Sequence, residues 1–423
     1  MNRTKGGKII GSGGYGCVFR PPLKCKGKNR TKKRMVSKLM TVKHAKSEYE
    51  EILKFKRMLQ KIPNYSKYFL LEDISICKPE ELSEKDLHRF DTKCRALNDS
   101  YNRDSVNYQL DKLAILNIPD GGSDLKTYLK SVKYYNLPSV NERLINLLVY
   151  GIIPMNKKKV LHADLKDSNI LMNDKYATII DWGLSVIYKS NEIPEKLQGR
   201  SVYYNIPFTS ILFNSVFEKM YSTFLKENEV STQTVHAFVK MYIQEWFNYR
   251  GNGHYNIIQQ IISSLFVNTN LSYMDRNNMA MNFIENYITD VIMKYTAHGK
   301  IDLLKYYNEV YIYIIDIWGF LTIYLNILES LATNYTQLTS SEILLFDKLK
   351  EIVLKYIYEP RVTPINVSQL VSDLKSLDPI FLQCTTQHST TDFSDFSSST
   401  TTTSTTSPIE YKGLTIKTTR KKR

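Results

Sequence analysis

The sequence predicts an α+β chain: a small strand-rich N-terminal half, then a larger and mostly helical half carrying a long helix-periodic stretch. Three observations lead there. Short apolar runs separated by Gly, Pro and Lys crowd into the first 120 residues. Beyond them the apolar positions recur mostly at helical spacing. A third, strand-like patch interrupts that pattern around residues 162 to 181.

Taken in order, residues 8 to 20 and 35 to 42 read as short strands, and 45 to 62 as a helix. Tyr68 to Cys77 is a further apolar segment. A polar stretch, 78 to 107, looks like an insertion. Residues 112 to 116 form a strand, followed by a Pro/Gly connector and a helix capped by Ser123 or Asp124. The run Val310 to Leu328 mimics a membrane span, but Asp316 near its middle would cost ~2.5–3.5 kcal/mol in a bilayer. It is expected to be a buried core helix, with no span in the chain. Residues 385 to 407 are dominated by Ser and Thr, too poor in large apolar groups to offset ordering. The divisions expected are 1–117, 118–380 and a disordered Ser/Thr-rich and basic tail, 381–423.

At 423 residues with 43% hydrophobic content, the chain can bury a core of ordinary size. Its net charge of +15 fits anionic partners. A Lys-rich solvated surface is the better account of the charge taken alone, so nucleic acid is not among the expected partners. Cys17, Cys25, Cys77, Cys94 and Cys384 are odd in number and include no CxxC pair. Neither a disulfide framework nor a structural zinc is expected, and a reducing intracellular setting follows.

"IIGSGGYGCVF" places Gly11, Gly13, Gly14 and Gly16 around Ser12 and Tyr15, with Val18 after them. Glycines let backbone amides approach phosphate oxygens. The apolar run into two prolines that follows starts no helix, which removes a dinucleotide-binding turn. A strand–loop–strand flap remains, or an ordinary Gly-rich hairpin. Lys38 lies in a strand-like run, where it is an edge residue or an ammonium facing phosphates. At 100° per residue, Glu48 falls near the centre of the apolar face of the 45–62 helix and Glu51 at its margin. Glu48 is the favoured partner for Lys38, and Glu51 the second.

"HADLKDSN", residues 162 to 169, and "IIDWG", 179 to 183, supply what in-line phosphoryl transfer requires. Asp164 can accept the proton of the attacking hydroxyl, and Lys166 can neutralise the transferring group. Asn169 and Asp181 offer hard oxygens to Mg²⁺, with Mn²⁺ as a substitute. Each acid singly is an ordinary turn former. All of them together, downstream of a glycine flap and a strand lysine, point to a phosphotransfer site.

In this ordered set the chain resembles the eukaryotic-type protein kinases, whose marks are GxGxxGxV, a strand lysine, HRDxKxxN and DFG. "DIWGF", 316 to 320, and "PRVT", 360 to 363, extend the likeness. "GCVFRPPLKCK" and "YNIPF" resemble the divergent kinases of large nucleocytoplasmic DNA viruses, which would place the protein in host cytoplasm or virion. The resemblance covers roughly 8 to 208 and 310 to 375. It implies a bilobal kinase-like fold, ATP and Mg²⁺ as cofactors, and Ser/Thr-bearing protein substrates. It also implies adenine binding at Asn117, Ile118 and Pro119, and an Asp316 carboxylate bonded to the catalytic-loop backbone.

Departures stand beside these marks. Ala163 replaces the Arg of HRD and Trp182 the Phe of DFG. Phe208 stands where a Glu would pair with Arg361. Pro119 has no N–H to offer adenine, so the register shifts by one or adenine is held differently. Residues 209 to 309 form an unusually long helix-periodic insertion. A small-molecule phosphotransferase of the aminoglycoside or choline kinase type and a pseudokinase scaffold are the competing functions. Lys166 two residues after Asp164, with Asp316, favours an active Ser/Thr protein kinase.

Overall fold

The computed structural model describes residues 7–27, 34–359 and 362–387. The N-terminal part is a five-stranded antiparallel sheet in the order β1-β2-β3-β5-β4. Its strands are Lys8–Ser12 (β1), Gly16–Arg20 (β2), Met35–Thr41 (β3), Ser75–Cys77 (β4) and Leu113–Pro119 (β5). β3 is central, pairing Lys38 with Val18 on one side and with Leu116 on the other.

Side chains alternate across a strand, so the sheet has two faces. Met40, Ala114 and Leu116 join the main core with helix α1, Val42–Leu59. Thr41 caps α1 by accepting from the His44 N–H, and Ala45, Ile52, Phe55 and Leu59 form its buried stripe. The other face carries Cys17, Phe19, Leu39, Leu113 and Ile115.

What covers that second face differs from expectation. The 78–107 stretch, read as a polar insertion, buries Leu82, Leu87, Phe90, Leu97, Tyr101 and Val106 against it as a separate small core. Its apolar residues are spaced by short turns, so no periodicity marks them. Two disulfides, Cys17–Cys94 and Cys25–Cys77, stitch this layer to the sheet. The expectation of unpaired thiols is therefore corrected, and with it goes the ground for expecting a reducing setting. The pairings span 77 and 52 residues, separations at which sequence spacing carries no signal.

The C-terminal part is helical, and the 209–309 insertion is indeed so. It consists of helices Ser215–Glu227, Thr232–Arg250, Tyr255–Leu265 and Tyr273–Tyr295 and a short hairpin. The apolar run is a core helix: the helical stretch 303–333 is long and apolar enough to span a membrane, but 89% of its apolar 18-residue window is buried inside the fold. The boundary expected at 380 falls inside helix Asp378–Gln387, whose Phe381 and Cys384 are fully buried. The remaining tail, from 388, and the motif residues Pro360 and Arg361 lie outside the described residues.

Candidate active site

The strand-like 162–181 patch resolves into two short strands, 170–172 and 177–179, that pair antiparallel and follow an irregular loop, 162–169. Ala163 and Asp181 both take left-handed φ, at 61° and 65°. Such non-glycine conformations cost roughly 1–3 kcal/mol each and persist only where surroundings hold them. Asp316 supplies that hold on the loop. Its carboxylate, 1% exposed, accepts from the backbone N–H of His162 (2.9 Å) and of Ala163 (2.8 Å) and from Asn156 Nδ2 (2.7 Å). Burial pushes the Asp316 pKa up, while His162 and these three donors pull it down. Three residues further, a Cβ on Gly319 would sit 2.6 Å from the Leu165 carbonyl oxygen, so only glycine lets the loop rest on this helix.

Asp164 is the hub of the loop. Lys166 Nζ donates to its Oδ2 at 2.9 Å, Asn169 Nδ2 to the same oxygen at 3.0 Å, and Asn205 Nδ2 to Oδ1 at 2.9 Å. A carboxylate has about four lone-pair sites, so one remains for a further donor. Asn169 Oδ1 and the exposed Asp181 carboxylate have no hydrogen-bond or ion-pair partner among the described residues. Their strands are tied by the Ile180 N–H to the Asn169 carbonyl, at 3.0 Å. Two hard, uncommitted oxygens fit Mg²⁺, which takes one or two protein ligands and completes its shell with phosphate and water. No group of three or more His, Cys, Asp or Glu that could hold a metal occurs among the described residues.

Between the sheet and α1, Lys38 Nζ donates to both Glu48 oxygens, at 2.8 and 2.7 Å. Of the two acids weighed, Glu48 makes this contact, whereas Glu51 binds Lys196. The flap turns at Gly13, whose N–H reaches the Gly16 carbonyl at 2.9 Å. Gly16 is required by packing, since a Cβ there would meet the Leu39 carbonyl at 2.6 Å. Gly11 and Gly14 are different: a Cβ on either meets nothing within 4 Å, and neither has positive φ. Ser12 and Val18 lie in the paired strands, and Tyr15 is exposed with its ring 4.5 Å from His44.

The three residues expected at adenine, at the end of β5, diverge. Asn117 turns to the outer face, accepting from Ser37 Oγ at 2.7 Å and donating toward the sulfurs of Cys25 and Cys77. Ile118 packs against the main core. Pro119 has no N–H, and the next N–H, of Asp120, is taken by the Arg34 carbonyl at 3.0 Å.

Trp182 is buried, with its ring 5.3 Å from Phe55 of α1, 5.8 Å from Phe69 and 5.3 Å from His162. His162 itself contacts the Ile180 carbonyl through Nε2 at 3.0 Å. Phe208, in place of a charged residue, packs edge-on against Trp318 and Tyr287. An aromatic cluster thus fills the position where the resemblance calls for an ion pair.

Several site residues are not legible in the motifs. Asn205 holds Asp164 and the Leu165 carbonyl. Buried Arg200 donates to the Ala163 carbonyl at 2.7 Å and to that of Lys196 at 2.8 Å. The insertion closes over this segment. Trp246 Nε1 donates to the Arg200 carbonyl, the His254 N–H to that of Val202, and Ser201 Oγ to that of Arg250. The His254 pKa is pushed down by burial and then by nearby Lys166, with Asp164 opposing. No family model matches the chain, and no curated protein matches it at a significant level.

Proposed function

We propose that the chain is an ATP-dependent protein kinase that phosphorylates Ser and Thr hydroxyls of protein substrates. The observation that carries this reading is the Lys38–Glu48 pair beneath a flap whose Gly11 and Gly14 have no packing or backbone need to be glycine. An ammonium has three donors; two hold Glu48 and the third is left for a phosphate oxygen. The flap glycines leave room for phosphates to come close to the backbone.

Asp164 would accept the proton of the incoming hydroxyl as its oxygen bonds to the γ-phosphorus and the bond to ADP breaks. Lys166 would stabilise charge on the transferring group. Asn169 and Asp181 would hold Mg²⁺, which when bound neutralises charge on the phosphates. At the end of β5, Pro119 and the committed Asp120 N–H leave adenine without the usual pair of backbone bonds. Affinity for ATP then rests on the phosphate end. Protein rather than small-molecule substrates are favoured by the Asp316 tie to the loop and by the segment 200–205 clamped beside Asp164.

Calorimetric titration with MgATP tests the nucleotide half of this reading. The wild-type chain and Asp164→Asn are expected to bind alike, and Lys38→Met and Asp181→Asn to bind at least tenfold more weakly. Absence of binding by wild type, or binding indifferent to Asp181, overturns it.

A further inference from the structure

Lys196 touches both halves of the candidate site, yet no motif marks it. Its Nζ lies 2.5 Å from Glu51 Oε1 on α1 and 3.0 Å from the carbonyl oxygen of Gly183, two residues after Asp181. Glu51 stands three residues after Glu48, so the two acids are neighbours on one side of α1. One reaches across to Lys38 and the other down to Lys196. The carbonyl of Lys196 accepts from Arg200 Nε at 2.8 Å, and Arg200 Nη1 donates to the Ala163 carbonyl at 2.7 Å, next to Asp164. The contacts form one chain: Lys38, Glu48, α1, Glu51, Lys196, Arg200, Ala163.

We propose that Lys196 is a positioning residue that fixes α1 to the segment after Asp181, so that Lys38–Glu48 stays assembled without a phosphate on that segment. The role rests on the phosphotransfer reading above; the contacts themselves do not. Three serines lie between Asp181 and Pro207. Ser185 is buried with its hydroxyl on the His162 carbonyl, and Ser201 is buried with its hydroxyl on the Arg250 carbonyl. Ser190 alone of the three is exposed. The segment is therefore ordered by fixed cations and by the insertion, and two of its three serines are closed to modification.

The Lys196 and Glu51 side chains are 40% and 33% exposed. A pair so placed acts modestly and is screened by salt, so its loss is expected to change rates by about two- to fivefold. The test compares full-length wild type with Lys196→Met, Glu51→Gln and the charge exchange Glu51→Lys/Lys196→Glu, all treated with phosphatase. Two quantities are read: amide hydrogen exchange across 44–59 without nucleotide, and the phosphotransfer rate.

Both single variants are expected to speed exchange in α1 and lower the rate, with the whole-chain thermal midpoint unchanged. The charge exchange is expected to restore α1 protection in part, because a glutamate at 196 cannot donate to the Gly183 carbonyl. Unchanged α1 exchange in both single variants overturns the proposal. So does a large loss of wild-type rate on phosphatase treatment that phosphate on Ser190 restores. A wild-type chain that transfers no phosphate refutes the proposed activity alone, and the exchange data still decide the tie.

Discussion

Glu329, on the helix Leu325–Thr333, lies in the region of Asp167 and Lys126. Burial pushes its carboxyl up to about 7, with Lys126 opposing and Asp167 adding to the rise. A carboxyl raised on folding keeps its proton in the native state. Its contribution to stability is therefore complete below the ordinary value of 4.5 and is lost as pH rises through about 7. Glu329→Gln, neutral throughout, is expected to match wild type in thermal stability near pH 4. It should exceed wild type at pH 8 by on the order of 2 kcal/mol, after allowance for solvent screening. Equal stabilities at pH 8 would show that Glu329 is solvated. At this scale, Lys38, Asp164, Lys166, Asn169 and Asp181 were legible because each belongs to a spaced motif. Glu48 was legible from helix geometry. Lys196, Arg200 and Asn205 were not, since their role is set by backbone carbonyls and side chains that only the folded chain brings near.

The layer formed by residues 78–107 shows what composition conceals at the scale of elements. Its charged and polar majority faces water, while a minority of apolar residues, Phe90 and Val106 among them, completes a second core on the outer face of the sheet. No helical or strand period marks that minority, because the backbone turns every few residues. Asp86 adds a polar anchor, accepting from the Gly7 N–H, ahead of β1. The two disulfides close loops that typically contribute ~2–4 kcal/mol each. They also tie the flap strand β2 to this layer and the segment after it to β4. Alkylation of denatured but unreduced protein is expected to label one cysteine, Cys384, and alkylation after reduction to label five. Five labels before reduction would remove both disulfides. The strands and α1, by contrast, were legible within a few residues, because alternation and helical spacing were strong there.

For the whole molecule, the order of elements in the chain matters more than any one motif. A sheet carries the flap and Lys38, a helix turns Glu48 back to it, and a loop seated on a buried helix presents Asp164. The insertion, whose helical content was legible but whose use was not, presses Trp246 and the His254 backbone onto the segment beside that loop. Neither Ala163 nor Phe208 brings a charge to this region, and the clamp orders the segment through these contacts instead. The central claim is that this arrangement moves phosphate from ATP to protein hydroxyls. General-base contributions run ~10²–10⁴-fold, which sets the size of the effect to look for. The direct measurement is incubation of wild type and Asp164→Asn with γ-labelled ATP, Mg²⁺, mixed proteins and small alcohols. Wild type is expected to label Ser and Thr of protein, and Asp164→Asn to fall by ~10²–10⁴-fold. Label confined to the alcohols, no label on any acceptor, or an undiminished rate in Asp164→Asn would contradict it.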